Sequence, residues 1–258
     1  LETKMKRHKS IVDERRNQVL ELLKIDPNLT ADKLAEKLKV SSLTIRRDFQ
    51  YWEEKNKITR YYGGARIIQN FLESELDKNP LETRKNLIAK KASEFIESGD
   101  TIFINTSSTA LLMLKYLKNK RVNVITNNAN AVFVQKDPNV RVFLTGGELR
   151  EPKEAMVGEF ALNNLSKVSA NKSFLGCSGF SSDMGMTTVT LDEVPINELM
   201  IKQCVGSKFI LADGSKVGRN SNFISSLIDS VDVLITDESA NTEQCKYLKD
   251  LGVRIIKT

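Results

Sequence analysis

The sequence predicts a two-part α/β protein, with a small head of helices closed by a hairpin and a larger body built on a mainly parallel sheet. Three observations lead there. Sixteen of the 39 Lys and Arg lie in the first 70 positions against ten Asp and Glu, and this excess of six is the whole formal net charge. Residues 71–258 hold 23 of each sign. Within the basic head the apolar period is 3.6 and then switches to 2, while from Thr101 onward short apolar runs alternate with amphipathic stretches, the pattern of a sheet covered on both faces. A basic head on a neutral body suggests that one end meets a polyanion and the other does something else.

Composition narrows the classes. A chain of 258 residues has room for a head of about 60 residues and a core-bearing body of about 190. The 40% hydrophobic and 28% charged shares are those of a soluble globular protein. No apolar run reaches 18 residues, so no membrane span is expected, and the basic N-terminus lacks the apolar stretch of a secretory signal. The expected setting is cytoplasmic. Cys177, Cys204 and Cys245 are odd in number and set far apart in apolar contexts, which reads as buried thiols in a reducing compartment. With His8 as the sole histidine, histidine triads and His-rich zinc sites drop out. No metal or cofactor is expected. The chain opens on Leu1, and Met5 before Lys6-Arg7-His8-Lys9 fits either a natural start or a fragment. Residues 1–9 are set aside as mobile.

In the head, Val12, Val19, Leu20, Leu22 and Leu23 predict a first helix that stops before Asp26-Pro27. Thr30 suits an N-cap for a second, with Ala31, Leu34, Ala35 and Leu38 on one face. A turn through Lys39-Val40 leads to Ser41, the cap of a third helix that turns Ile45, Phe49 and Trp52 inward. Ser42, Thr44, Arg46 and Arg47 are left outward or at the helix start. Asp48 is expected to pair with a nearby arginine and orient it. Asn56, able to take a left-handed conformation, precedes a strand Ile58-Thr59-Arg60-Tyr61-Tyr62, and Gly63-Gly64 turns the chain into Ala65-Arg66-Ile67-Ile68. Residues 30–49 thus form a helix-turn-helix, and the hairpin makes residues 11–68 a winged helix-turn-helix that reads DNA. The expected DNA-binding residues are Ser41, Ser42, Thr44, Arg46, Arg47, Arg60, Tyr61, Gly63 and Gly64, with Arg60 offered to phosphate or the minor groove. Against this stands the plain reading of Arg46 and Arg47 as a solvated face.

Residues 69–84 are mixed in charge and read as a linker or connecting helix. In the body, 85–258, candidate strands are Thr101–Asn105, Val122–Thr126, Val140–Thr145, Ser173–Cys177, Lys208–Ala212, Val233–Thr236 and Val253–Ile256. Helical segments Leu87–Ile96, Ala110–Leu117, Ile196–Val205 and Thr242–Leu251 fit between them. This is a Rossmann-like, mainly parallel α/β domain, whose ligands sit at the carboxyl ends of the strands. Those ends are polar or glycine-rich: Asn105, Thr106, Ser107, Ser108 and Thr109, then Thr126 and Asn127, Gly146 and Gly147, Ser178 beside Gly179, and Asp213 to Lys216. They suit a small, hydroxyl-rich, phosphorylated ligand, with Lys216 a charge partner for its phosphate. Ordinary helix capping by Ser108 or Thr109 is the structural alternative.

The run Ser41-Ser42-Leu43-Thr44-Ile45-Arg46-Arg47-Asp48-Phe49, with Arg60 and Gly63-Gly64-Ala65 after it, resembles the winged helix-turn-helix of DeoR-type bacterial transcription regulators. Tyr62 departs from the histidine often found there. The body resembles the sensor domain of the same family through Gly99-Asp100-Thr101-Ile102-Phe103, Ser108-Thr109, Thr126-Asn127, Gly146-Gly147-Glu148-Leu149, Phe174-Leu175-Gly176, Met200-Ile201 and Leu211 to Lys216. That domain is similar in fold to ribose-5-phosphate isomerase and typically takes phosphorylated sugars, and Glu193 stands where the family commonly has a glutamate facing the pocket. Asn105, Ser107 and Ser178 replace an aspartate, a glycine and an aspartate of the family pattern, an exchange expected to repel phosphate less or to change the sugar preferred. The resemblance implies a regulator rather than an enzyme, a repressor of a sugar uptake or catabolic operon. It would bind double-stranded operator DNA as a homodimer or homotetramer and respond to a sugar phosphate. An isomerase-like enzyme using Glu193 or Asp213 as base, and a DNA binder blind to any ligand, remain the competing readings.

Overall fold

A computed structural model describes residues 2–26, 29–55, 57–61, 63–67, 79–151 and 153–258, and of residues 2–11 the backbone alone. The chain divides into two units after Asn79.

In the first unit, α1 spans Glu2–Ile25. It starts within the residues that sequence reading sets aside as mobile, because no Gly or Pro interrupts a stretch rich in Lys, Arg, Glu and Leu. Helix α2, Ala31–Leu38, is capped by Thr30, whose hydroxyl accepts from the Lys33 N–H, and ends on Lys39 at φ 53°. Helix α3, Ser42–Glu54, is capped by Ser41 in the same way through Thr44. Val19, Leu20 and Leu23 of α1 meet Leu34, Ile45, Phe49 and Trp52 in one core. Strands β1 (Ile58–Tyr61) and β2 (Gly64–Ile67) pair antiparallel, with Ile58 opposite Ile67 and Tyr61 opposite Gly64. Gly63, at φ 89°, makes the turn between them. Thr30 bridges to Gly64 and the Ala31 N–H donates to the Gly63 carbonyl at 3.0 Å, so the hairpin is tied to the start of α2. Asn56, Tyr62, Ile68 and residues 69–78 of the expected linker lie outside the described residues.

The second unit opens with α4, Pro80–Ser93, which takes in the last residues of that linker segment and has proline at its first position, where the missing N–H costs nothing. All seven expected strands form, as β3 (Thr101–Ile104), β4 (Val122–Thr126), β5 (Val140–Leu144), β8 (Lys172–Gly176), β11 (Lys208–Leu211), β13 (Val233–Thr236) and β14 (Arg254–Lys257). They make one sheet in the order β14-β13-β11-β8-β3-β4-β5, and every pairing in it is parallel. Alternate residues feed two cores: Ile102, Ile104, Val124 and Phe174 on one face, Phe103, Ile125, Leu175 and Ile210 on the other. The chain runs outward from β3 to β5, returns to lay β8 on the other side of β3, and continues to β14. The β3–β8 boundary is therefore the switch point of the sheet, where the crevice of an open α/β fold lies.

Helices α5 (Ser108–Leu112), α7 (Val194–Lys202) and α8 (Thr242–Asp250) match expected segments. Several elements were not expected. Strands β6 (Glu148–Arg150) and β7 (Ala155–Val157) form a hairpin, followed by α6 (Glu159–Leu165). Strands β9 (Gly179–Ser181), β10 (Gly185–Thr188) and β12 (Phe223–Ser226) form a small antiparallel sheet. Each is short, and Gly, Ser and Thr dominate the small sheet, so neither apolar runs nor alternation mark it. Among the described residues no helix is long and apolar enough to cross a membrane.

Candidate functional site

On the head, α3 turns its apolar face inward and leaves Arg46 and Arg47 exposed. Among the described residues no carboxylate pairs with either. Leu43, beside them at the start of the helix, is also exposed. Ser41 and Thr44 share a hydrogen bond of 2.8 Å, so their hydroxyls serve the helix cap first; Ser42 is half-buried. Arg60 does not project freely. Its Nε lies 2.6 Å from Oε2 of Glu53 and its backbone N–H donates to Oε1 at 3.1 Å. These bonds, the backbone one foremost, hold the Glu53 carboxyl below the usual range. Arg46, Arg60, exposed Tyr61, Gly63 and Gly64 line an open groove of about 750 Å³ between helix and wing. Asp48 pairs with arginines as expected: its position on the inner face of α3 points it at Arg15 and Arg16 of α1.

In the body, Asn105, Thr106, Ser107, Ser108, Ser178, Glu193 and Lys216 come together around a cavity of about 480 Å³ at the β3–β8 switch point, a size suited to a small ligand. Asn105 is fully committed: its Oδ1 accepts from the N–H groups of Ser107 and Gly176, and its Nδ2 donates to the Gly176 carbonyl and Asn197. It braces β3 against β8 at the wall of the cavity. Ser107 caps α5 through the Ala110 N–H. Ser108 opens that helix, and Ser178 is half-buried at the end of β8.

Glu193 is buried and receives three donors, the Thr188 hydroxyl at 2.7 Å, the Lys153 ammonium at 3.0 Å and the Thr106 hydroxyl at 3.2 Å. Lys216 lies 3.7 Å from buried Asp213. Cys177 also lines the cavity; burial pushes its thiol up to about 12, with Lys216 pulling the other way.

Five expected ligand residues lie elsewhere. Thr109 is buried. Thr126 is buried and accepts from the Asn128 N–H. Asn127 donates to the Met156 carbonyl and so holds the β6–β7 hairpin. Gly146 and Gly147, at φ 69° and 111°, turn the chain after β5, and a side chain on Gly147 would strike the Val157 carbonyl at 2.5 Å. In their place the cavity gains Leu111, Asn128, Asn130, Lys153 and Glu154. Lys153 and Glu154 follow no strand end that the sequence marks; the β6–β7 hairpin brings them to the cavity.

Two family models match the chain, the DeoR-like helix-turn-helix domain over residues 15–71 and the DeoR C terminal sensor domain over residues 81–238. An uncharacterized HTH-type transcriptional regulator of Bacillus subtilis, YulB, is 33% identical over 251 residues, 95% of this chain and 96% of that protein. The lactose phosphotransferase system repressor of Staphylococcus aureus is 33% identical over 213 residues, 80% of this chain and 84% of its own. The HTH-type transcriptional regulator GolR of Listeria innocua is 30% identical, covering 94% and 97%. Among solved structures, ribose 5-phosphate isomerase A from Methanocaldococcus jannaschii overlaps 51% of this chain and 52% of its own at 15% identity, with a TM-score of 0.35.

Proposed function

The chain belongs to the DeoR family of transcriptional regulators, and from that premise we propose that it represses a sugar uptake or catabolic operon under control of a phosphorylated sugar held in the switch-point cavity. The observation that carries this reading is the pairing, in one chain, of an exposed Arg46-Arg47 couple on a capped helix with a hydroxyl-lined cavity that holds two lysines. Arg46 and Arg47 enter the major groove, and Arg60 with Tyr61 follows the backbone. Ser108 and Ser178 take the sugar phosphate with Lys216, while Glu193 accepts its hydroxyls. The protein works as a homodimer or homotetramer on pseudo-symmetric half-sites, in the cytoplasm. Ligand control requires that the sugar phosphate bind the DNA-bound and free arrangements with different affinity.

An enzymatic reading fares worse. Glu193 is engaged by a lysine and two hydroxyls, and Asp213 is buried and hydrogen-bonded within its own loop. Neither is poised as a base toward a substrate.

The test is a thermal-shift panel of hexose and pentose phosphates beside the unphosphorylated sugars, with the same compounds added to an operator gel shift. A phosphorylated sugar at 100 times its dissociation constant stabilises the protein by about 2.7 kcal/mol and should change operator affinity. Stabilisation with no change in DNA binding would sink the regulatory reading. Silence across the panel would leave a DNA binder without a sugar signal.

A further inference from the structure

We propose that Lys153 decides whether the cavity admits a phosphorylated ligand, by cancelling the charge of Glu193, a role that rests on the sugar-phosphate reading above. Glu193 is 6% exposed yet lines the cavity beside Lys153, Glu154 and Lys216. Its charge has to be met for a phosphate to enter. Thr106 and Thr188 donate to it, but a hydroxyl stabilises a carboxylate without cancelling its charge. Lys216 already stands against its own buried carboxylate, Asp213. Lys153, at 3.0 Å, brings the missing cation. Left bare, the Glu193 carboxylate would repel a phosphate dianion through a medium that screens far less than water. Neutral sugars would be indifferent to it.

Two observations separate this role from that of a plain structural ion pair. The hairpin does not need Lys153 to hold its place. Asn127 exchanges two bonds with Met156, its amide donating to the Met156 carbonyl at 3.1 Å and its carbonyl accepting from the Met156 N–H at 2.7 Å. The Ala129 N–H and the Asn130 amide both donate to Glu154, at 3.0 Å and 2.9 Å. Arg150 of β6 pairs with Asp192. The backbone is also strained beside the lysine. Glu154 sits at φ 49°, a left-handed conformation unfavourable for a side chain with a Cβ. Such strain persists only where surrounding contacts impose it, and it gathers at functional sites.

The test uses the full chain and the same panel of hexose and pentose phosphates and their unphosphorylated sugars, titrated by thermal shift to apparent dissociation constants. Lys153→Met should weaken the phosphorylated sugar that stabilises wild type by about 10-fold or more, as one bare charge in a poorly screened site does, with little change for the unphosphorylated sugar. Lys153→Arg should retain the wild-type affinity. Adding Glu193→Gln to Lys153→Met should restore most of the loss, because it removes the charge left bare. Should Lys153→Met misfold by circular dichroism, Lys153→Gln takes its place. Equal affinity in wild type and the uncharged variant would overturn the role of Lys153 alone. So would a double variant no tighter than the single, the result a structural role demands. A wild type that no phosphorylated sugar stabilises would end the sugar-phosphate reading itself, and this role with it.

Discussion

Arg15 grips Asp48 with two hydrogen bonds, Nε to Oδ2 at 2.7 Å and Nη2 to Oδ1 at 3.0 Å, across 33 residues of sequence. Arg16 adds a third at 3.3 Å, and its carbonyl accepts from the indole N–H of Trp52 at 2.8 Å. Asp48 is 1% exposed while both arginines keep contact with water. The carboxylate pins α3 to α1.

Asp48→Ala should therefore destabilise the head by about 2 kcal/mol, less than a wholly buried pair because the orphaned arginines can hydrate. Trp52 is the sole tryptophan and lies in the head, so urea unfolding followed by its fluorescence reports this unit by itself. An unchanged midpoint would show that the clamp contributes nothing.

Arg46→Ala and Arg47→Ala should each weaken operator binding by about 1–3 kcal/mol without moving the Trp52 unfolding midpoint. The affinity should fall steeply with salt, as counterion release dominates phosphate contacts. A flat salt titration, or full affinity in both variants, would remove this helix from the groove.

Glu53→Gln should raise affinity for unrelated duplex DNA several-fold, since it deletes a negative charge at the wing and releases Arg60 to phosphate, adding about one unit to the salt slope. If affinity drops instead, the Glu53–Arg60 pair positions the wing rather than restraining it.

Asn105→Asp, the exchange toward the family pattern, should destabilise the body by about 2–4 kcal/mol. A carboxylate cannot donate to the Gly176 carbonyl or to Asn197, and it leaves a buried acceptor without a partner. A loss of several degrees in melting temperature is expected, against no loss if the amide were a ligand contact only.

Cys177 supplies a pH dependence. Its folded pKa is raised above the ordinary thiol value, so its contribution to stability is complete below about pH 8.5 and declines as pH rises toward 12. At pH 8 the thiolate fraction should be well below that of an unfolded cysteine. Alkylation of Cys177 read by mass spectrometry should be correspondingly slow, and a reactivity midpoint near pH 8.5 would contradict it.

The main sheet was legible because its strands are buried on both faces, which leaves runs such as Thr101–Ile104 and Val233–Thr236 almost wholly apolar. The caps at Thr30 and Ser41 were legible because their hydroxyls act within three residues. That Asp48 pairs with an arginine was legible, but not which one: its partners are set by how α1 crosses α3, and spacing along the chain is silent on that. The polar loops do gather at the carboxyl edge of the sheet, but only some of the expected residues reach the cavity there. Past Thr126 the chain leaves β5 to pair with β7, which turns Asn127 inward and brings Asn128 and Asn130 to the cavity.

The ties from Thr30 and Ala31 to Gly63 and Gly64 have a mechanical consequence. They make the wing and the helix-turn-helix one stiff caliper with a set opening. The width of the gap between helix and wing is thus fixed inside the head, by where the hairpin is anchored on α2 and not by the Gly63 turn alone.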